Sequence, residues 1–177
     1  GGQLRIAASD TICRYFLVPY LNKFHKLYPN VHIKVTNSTS IDCARILENG
    51  QVDFIITNYP NSGLLNTHSV RAIREFRDVF VASADHFPLR DKTFTLAELL
   101  DYPIMMLDRK STTSEFLHSM FQKSHLDLVP EIELSSNDLL IDLARIGLGI
   151  AFVPDFCIPK DEKQLFILKL SETLPIR

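Results

Sequence analysis

The stretch Lys34-Val35-Thr36-Asn37-Ser38-Thr39-Ser40, followed by Ile41-Asp42-Cys43-Ala44-Arg45-Ile46-Leu47-Glu48-Asn49 and Gly50-Gln51-Val52-Asp53-Phe54-Ile55-Ile56, decides the fold. Its β-branched opening, closing at Thr36, predicts a strand, and the polar cluster Asn37 to Ser40 ends it. Ile41, Ala44 and Leu47 recur at helical spacing, Thr39 with Asp42 fits a capping box, and Gly50 falls where a helix end favours a left-handed residue. A second apolar run, Val52 to Thr57, follows at once. A strand, helix and strand this closely linked make a compact parallel crossover. The functional end of such a unit is the turn at Asn37 to Ser40. There the first backbone N–H groups of the helix point outward beside three hydroxyls and an amide, a setting that can hold a carboxylate or similar anion. The plainer reading is that these residues only cap the helix.

Working outward, the chain of 177 residues is long enough for one domain or two small lobes. With 46% hydrophobic and 23% charged residues its composition is globular, and no low-complexity tract suggests a disordered tail. The formal net charge is −2 and the basic residues are scattered, which argues against nucleic-acid binding by this chain itself, since phosphate neutralisation needs clustered Lys and Arg. No apolar run approaches membrane-spanning length, and the opening Gly1-Gly2-Gln3-Leu4-Arg5 lacks a secretory apolar region. Cys13, Cys43 and Cys157 form an odd set without metal-ligand spacing, so free thiols in a reducing, cytoplasmic setting are expected, with no metal and no cofactor.

Along the chain, Gln3 to Ser9 reads as a buried first strand and Ser9-Asp10-Thr11 as a turn into a helix. Phe16, Leu17, Tyr20, Leu21, Phe24 and Leu27 make an apolar stripe at helical period, within which Pro19 either kinks the helix or starts its regular part. Val31 to Val35 returns as a strand, and Tyr59-Pro60-Asn61-Ser62-Gly63 is a loop. Two strand-like runs, Val70 to Phe76 and Val79 to Ala84, then follow without a helix between them and mark the passage into a second lobe. Thr95 and Glu98 form a capping box for a short helix to Leu100. Pro103 to Leu107 is a buried strand, and Thr112 with Glu115 caps a helix carrying Phe116, Leu117, Met120 and Phe121. Glu131 to Leu134 is a strand, Leu139 to Ile146 a helix stopped by Gly147-Leu148-Gly149, Ile150 to Val153 a strand, and Leu165 to Leu170 an exposed or crossing strand.

Four strand ends therefore feed helices through turns rich in Ser, Thr or Asn: Ser9 to Thr11, Asn37 to Ser40, Ser111 to Ser114, and Ser135 to Asn137. Ligands of open α/β sheets sit beyond the carboxyl ends of the strands, so two such lobes facing one another form a cleft for a small molecule, with anionic the expected charge. Each turn taken alone is explained as a cap. Enzymatic signatures are missing: the six histidines are dispersed, without HExxH, GxSxG, a P-loop or a deaminase pattern. Cys13 and Cys43 lie near predicted helix starts, where a thiol pKa can be lowered, against the commoner reading of unreactive buried cysteines.

Several segments resemble the effector-binding domain of LysR-type transcriptional regulators. They are Gly2 to Ser9; Phe16-Leu17-Val18-Pro19-Tyr20-Leu21 with Phe24; Tyr28-Pro29-Asn30-Val31; Leu47 to Gly50 with Val52-Asp53-Phe54-Ile55-Ile56; His86-Phe87-Pro88-Leu89; and Gly147-Leu148-Gly149-Ile150-Ala151-Phe152-Val153-Pro154. The resemblance implies an α/β fold of two Rossmann-like lobes, of the periplasmic-binding-protein type II architecture, joined by two crossing strands. Lobe I is expected over 1–76, with 165–177 returning toward it and its last strand and helix beyond Arg177, and lobe II over 77–164. The implied activity is to bind a small-molecule effector in the cleft and pass the event to a separate N-terminal winged helix-turn-helix, the only part that touches DNA. Family contacts carried onto this sequence fall on Ser9 and Thr11 in the first turn, on Ser38, Thr39 and Ser40, on Ser111, Thr112 and Ser136, and on Val153 and Pro154 at the cleft floor. Tyr59 and Phe152 shape the pocket or belong to the core. Arg109 is a candidate partner for a ligand carboxylate or a solvated surface residue. Side-by-side homodimers or tetramers are implied through the first helix of one chain and the helix 116–126 of another, with Leu117, Met120 and Phe121 either in that patch or in ordinary core. The alternatives are an extracytoplasmic solute-binding protein and a small α/β enzyme of the same architecture.

Overall fold

The computed structural model describes residues 2–177. It forms two compact units, Gly1–Arg71 with Lys110–Thr112, and Ala72–Arg109 with Thr113–Arg177. In the first, strand β1 (Gly2–Ala8) leads through a helical segment to β2 (Val31–Asn37), and helix α3 (Ser40–Glu48) leads on to β3 (Phe54–Ile56). The three strands form a parallel sheet in the order β2-β1-β3. Ile6, Ala7 and Ala8 of the central strand are buried, and Ala7 packs with Cys43, Ile46 and Val52. Asp53 ties β3 to the centre: its carboxylate accepts from the Arg5 N–H at 2.8 Å and from the Arg5 guanidinium at 3.1 Å.

The segment after β1 is a short helix α1 (Asp10–Ile12), a π-helical stretch Cys13–Leu17, and the regular helix α2 (Val18–Leu27). Pro19 explains the division. It has no N–H to give to the carbonyl one turn back, so the wider ladder, in which Val18 N–H reaches the Cys13 carbonyl, ends where the proline opens a new regular helix.

In the second unit a five-stranded sheet has the order β7-β6-β8-β4-β9, built from β4 (Asp78–Ser83), β6 (Ile104–Leu107), β7 (Ile132–Leu134), β8 (Ile150–Pro154) and β9 (Leu165–Ile167). β6 runs parallel to β7 and β8, while β4 is antiparallel to β8 and β9. A small pair, β5 (Thr93–Phe94) with β10 (Lys169–Leu170), lies beside it in sequence, followed by α4 (Leu96–Leu99) with the expected Thr95–Glu98 capping box. Helices α5 (Thr112–Lys123) and α6 (Asn137–Arg145) follow β6 and β7. Phe80, Phe94, Phe121, Phe152, Leu117 and Ile150 belong to one core cluster.

The structure bears on four expectations. Val70 to Phe76 is not a strand; only Phe76 pairs, exchanging backbone hydrogen bonds of 2.9 and 2.7 Å with Arg177. Residues 165–177 belong to the second unit, where β9 extends the sheet beside β4. Helix α5 begins at Thr112, the residue expected to precede it. Leu117 and Phe121 are 0% exposed and Met120 packs against the same core, so these side chains form no surface patch for a second chain. An apolar stripe at helical spacing serves either purpose, and here its own sheet takes it.

Burial also decides the thiols. Cys13 is pushed up by burial and then by Asp10; Cys43 is pushed up to about 11 by burial, with Asp42 and Cys13 adding; Cys157 is raised chiefly by burial. The helix starts nearby do not lower them. At pH 8 in the folded protein, iodoacetamide is expected to label the half-buried Cys13 slowly, and Cys43 and Cys157 only after unfolding in urea; rapid labelling of Cys43 by mass spectrometry contradicts this packing.

Two glycines occupy left-handed backbone, Gly50 with φ +71° and Gly147 with φ +80°. A Cβ at Gly50 meets nothing within 4 Å, whereas one at Gly147 lies 2.2 Å from the His86 ring, which Ser83 Oγ holds at 2.8 Å through Nδ1. Gly50→Ala is expected to cost about 1–2 kcal/mol for the left-handed backbone alone. Gly147→Ala adds a clash on top and lowers the urea midpoint further; equal midpoints for the two variants contradict the ring contact.

Candidate functional site

In the first unit β1 and β2 are parallel neighbours in a register that places Ala8 opposite Asn37, so α1 and α3 begin at the same edge of the sheet. Ser38 N–H donates to the Ala8 carbonyl at 3.2 Å and closes that edge. Ser9 Oγ caps α1 by accepting from Ile12 N–H at 3.3 Å, and Thr39 Oγ1 caps α3 by accepting from Asp42 N–H at 3.1 Å. Capping uses an oxygen lone pair, and each hydroxyl keeps its proton to donate. Thr11 is half-buried in the first turn. The reciprocal half of the expected capping box goes elsewhere. Asp42 takes the Arg45 guanidinium at 2.8 Å and the Ser38 hydroxyl at 2.5 Å, and these bonds, Arg45 foremost, hold its carboxyl below the usual range. Ser38 thus spends its proton on Asp42.

Ser40 stands apart from the caps. It is 4% exposed, and its Oγ has no hydrogen-bond partner among the described residues. Its carbonyl is occupied, accepting from Asn61 Nδ2 at 2.8 Å. The same amide nitrogen donates to Thr57 Oγ1 at 2.8 Å, and Asn61 Oδ1 accepts from Gly63 N–H at 2.8 Å. Asn61, itself buried, therefore locks the loop after β3 onto the start of α3. In the local sequence Asn61 is only a loop residue and Thr57 only the end of an apolar run. Nothing in a Pro-Asn-Ser-Gly run shows that its Asn is buried; only the three bonds do. Tyr59, in the same loop, is 64% exposed.

In the second unit β6 and β7 are parallel neighbours, and Asp108 N–H donates to the Leu134 carbonyl at 2.9 Å, so the starts of α5 and α6 share an edge. Ser136 caps α6 by accepting from Leu139 N–H at 3.2 Å. Ser111, half-buried, and Thr112, 3% exposed, immediately precede Thr113 and are grouped with the first unit. Val153 and Pro154 are buried in β8 opposite Val79 and Asp78. Phe152 is core, its ring 4.7 Å from Phe80 and 6.5 Å from Phe116. Arg109 lines a recess of about 470 Å³ together with Asp127, Pro130, Glu131 and Glu133. Three acidic residues thus line the same recess as Arg109.

Among the described residues no cluster of His, Cys, Asp and Glu could hold a metal ion, and no helix is long and apolar enough to cross a membrane. The chemistry on offer is hydrogen bonding: hydroxyl protons and helix-start N–H groups at the carboxyl edges of two parallel strand sets.

The chain has known relatives in both sequence and fold. The sequence profile of the LysR substrate binding domain matches residues 1–177. The chain is 28% identical over 152 residues to the HTH-type transcriptional activator CmpR of Synechocystis sp., covering 86% of this chain and 49% of that protein. It is 25% identical over 171 residues to the HTH-type transcriptional regulator CysB of Burkholderia cenocepacia, covering 96% and 54%. The chain thus spans about half the length of these curated relatives. Its fold is similar to the Synechocystis PCC6803 CcmR regulatory domain in complex with 2-PG, with TM-score 0.82, 22% identity, and 98% of this chain against 83% of that one. It is similar also to the effector binding domain of QuiR in complex with shikimate, with TM-score 0.81, 15% identity, and coverage of 99% and 84%. With the profile matched along its whole length, the chain belongs to the LysR substrate-binding domain family.

Proposed function

We propose that this chain is the effector-binding domain of a LysR-type transcriptional regulator and that it takes a small anionic molecule at the helix starts of its α/β units, with Ser9, Thr39 and Ser40 as contacts in the first. The observation that carries the reading is the buried Ser40 Oγ, which lacks a protein partner among the described residues at the head of α3. A buried hydroxyl left unpaired costs about 1–3 kcal/mol, and a helix N-terminus beside it favours negative charge. The 2-PG and shikimate complexes of two domains with this fold support a small-molecule guest. Contact with DNA would come through another part of the longer protein, in a cytoplasmic setting, as the helix-turn-helix regulators among the relatives suggest. Homodimers or tetramers would use α2, where Val18, Tyr20 and Leu27 are exposed. An effector shifts the DNA-bound state only as far as its affinities for two arrangements of the protein differ.

The test is a thermal-shift screen of small carboxylates, amino acids and sugar phosphates, with 2-PG and shikimate included, since a binder stabilises the folded chain by mass action. Ser40→Ala is expected to weaken the best hit tenfold or more and to leave the urea midpoint unchanged or slightly raised, because the lost hydroxyl has no partner to strand. Thr39→Val weakens binding too but also removes a cap worth about 1 kcal/mol. Unchanged affinity in Ser40→Ala overturns the site assignment.

A further inference from the structure

The second unit holds a buried ion pair that effector contact at the helix starts does not itself use. Arg177 Nη1 lies 2.9 Å from Asp78 Oδ2, and both side chains are 0% exposed. The same nitrogen donates to Thr113 Oγ1 at 3.3 Å. The guanidinium carbon sits 4.8 Å from the Phe116 ring centroid and 5.3 Å from that of Phe76. Thr113 and Phe116 are both in the opening turns of α5, so Arg177 grips that helix start at two points while Asp78 of β4 holds it from the other side. Its backbone is fixed as well: Arg177 and Phe76 exchange N–H bonds of 2.7 and 2.9 Å, and the neighbouring Arg77 donates to the Leu174 carbonyl at 2.9 Å.

Stability alone does not call for this arrangement. Replacing a buried ion pair with apolar side chains of similar size is often neutral or favourable, because desolvation of both charges offsets their attraction. Asp78 Oδ1 has no partner among the described residues, so the pair is not even fully hydrogen-bonded. What a planar guanidinium adds over apolar packing is direction: its fork can meet a carboxylate and a hydroxyl while its face rests on aromatic rings.

We infer that Arg177, held by Asp78, is a positioning residue for effector binding: it sets the first turn of α5 within the second unit, through Thr113 and Phe116. The inference rests on the proposed effector role of that helix start. Removing the guanidinium alone strands the Asp78 charge and can unfold the unit, so the informative variant is the double substitution Asp78→Asn with Arg177→Met, which leaves no buried charge behind.

Hydrogen exchange is followed at the amides of Glu115 to His118, whose bonds close the first turn of α5, and at Leu140 to Ala144 of α6 as the internal reference. The double variant is expected to fold and to exchange at least tenfold faster at 115–118, with α6 unchanged; Arg177→Lys, which keeps the charge and loses the fork, falls between. A pair that is merely structural gives wild-type exchange at 115–118 in the double variant, or an equal rise in both helices, and either overturns the inference. Titration with 2-PG is the second arm, in which affinity is expected to fall at least fivefold in the double variant; faster exchange with unchanged affinity also overturns it. If 2-PG does not bind the unaltered chain, the effector reading fails for that probe, and the exchange comparison still decides whether Arg177 sets the turn.

Discussion

A helix that begins at the carboxyl end of a parallel strand presents its first N–H groups to whatever lies beyond the sheet, and those groups must be met. The fold repeats this constraint. β1 and β2 end opposite one another at Ala8 and Asn37, and β6 and β7 do so at Leu107 and Leu134. Ser9, Thr39 and Ser136 answer it with an oxygen lone pair each. The hydroxyl-rich turns exist first because the topology demands caps. Their protons, left over from capping, are what makes the same edges able to receive an acceptor-bearing guest.

That double use explains which parts of the molecule were legible in the sequence. Elements written in local periodicity were readable: β1, β2, α3 with its left-handed Gly50, the Thr95–Glu98 box of α4, and the parallel crossovers between them. Features that depend on a distant partner were not. Val70 to Phe76 has the composition of a strand, yet it forms none, and its Phe76 exchanges backbone bonds with Arg177, far along the chain. Asn61 became a structural lock only once the fold brought it to the Ser40 carbonyl and Thr57. Arg109, a candidate for the geometry of its guanidinium, lines one recess with Asp127, Glu131 and Glu133, residues that no local pattern brings together.

Where two physical effects opposed one another, residue type alone could not rank them. Cys13 and Cys43 stand in the first turns after Ser9 and Thr39, where a helix dipole favours a thiolate. Each also donates weakly to a carbonyl, Cys13 to Ala8 at 3.8 Å and Cys43 to Ser38 at 3.7 Å, and desolvation is the larger influence on both. Burial thus outweighs the helix starts at both thiols and favours the reading of small apolar side chains there. The helix carrying Leu117 and Phe121 makes the same point for packing, since a stripe that suits an interface suits a core equally well.

Ser40 Oγ and Asp78 Oδ1 are among the buried polar atoms without a hydrogen-bond partner among the described residues, where a chain selected only for stability would be expected to replace them. They sit in different units, but each adjoins a helix start that carries candidate contacts: Ser40 opens α3, and Asp78 holds the arginine that bonds Thr113 of α5. Local departures from full hydrogen bonding are costly and concentrate where function requires them. Ordinary capping explains Ser9, Thr39 and Ser136 completely, because each has its N–H. It does not explain a buried hydroxyl without a partner among the described residues, nor a charge pair kept in an aromatic setting where apolar side chains would pack as well. The case for a binding site therefore rests less on the abundance of hydroxyls at the strand ends than on the few polar groups that the fold buries and leaves unmet.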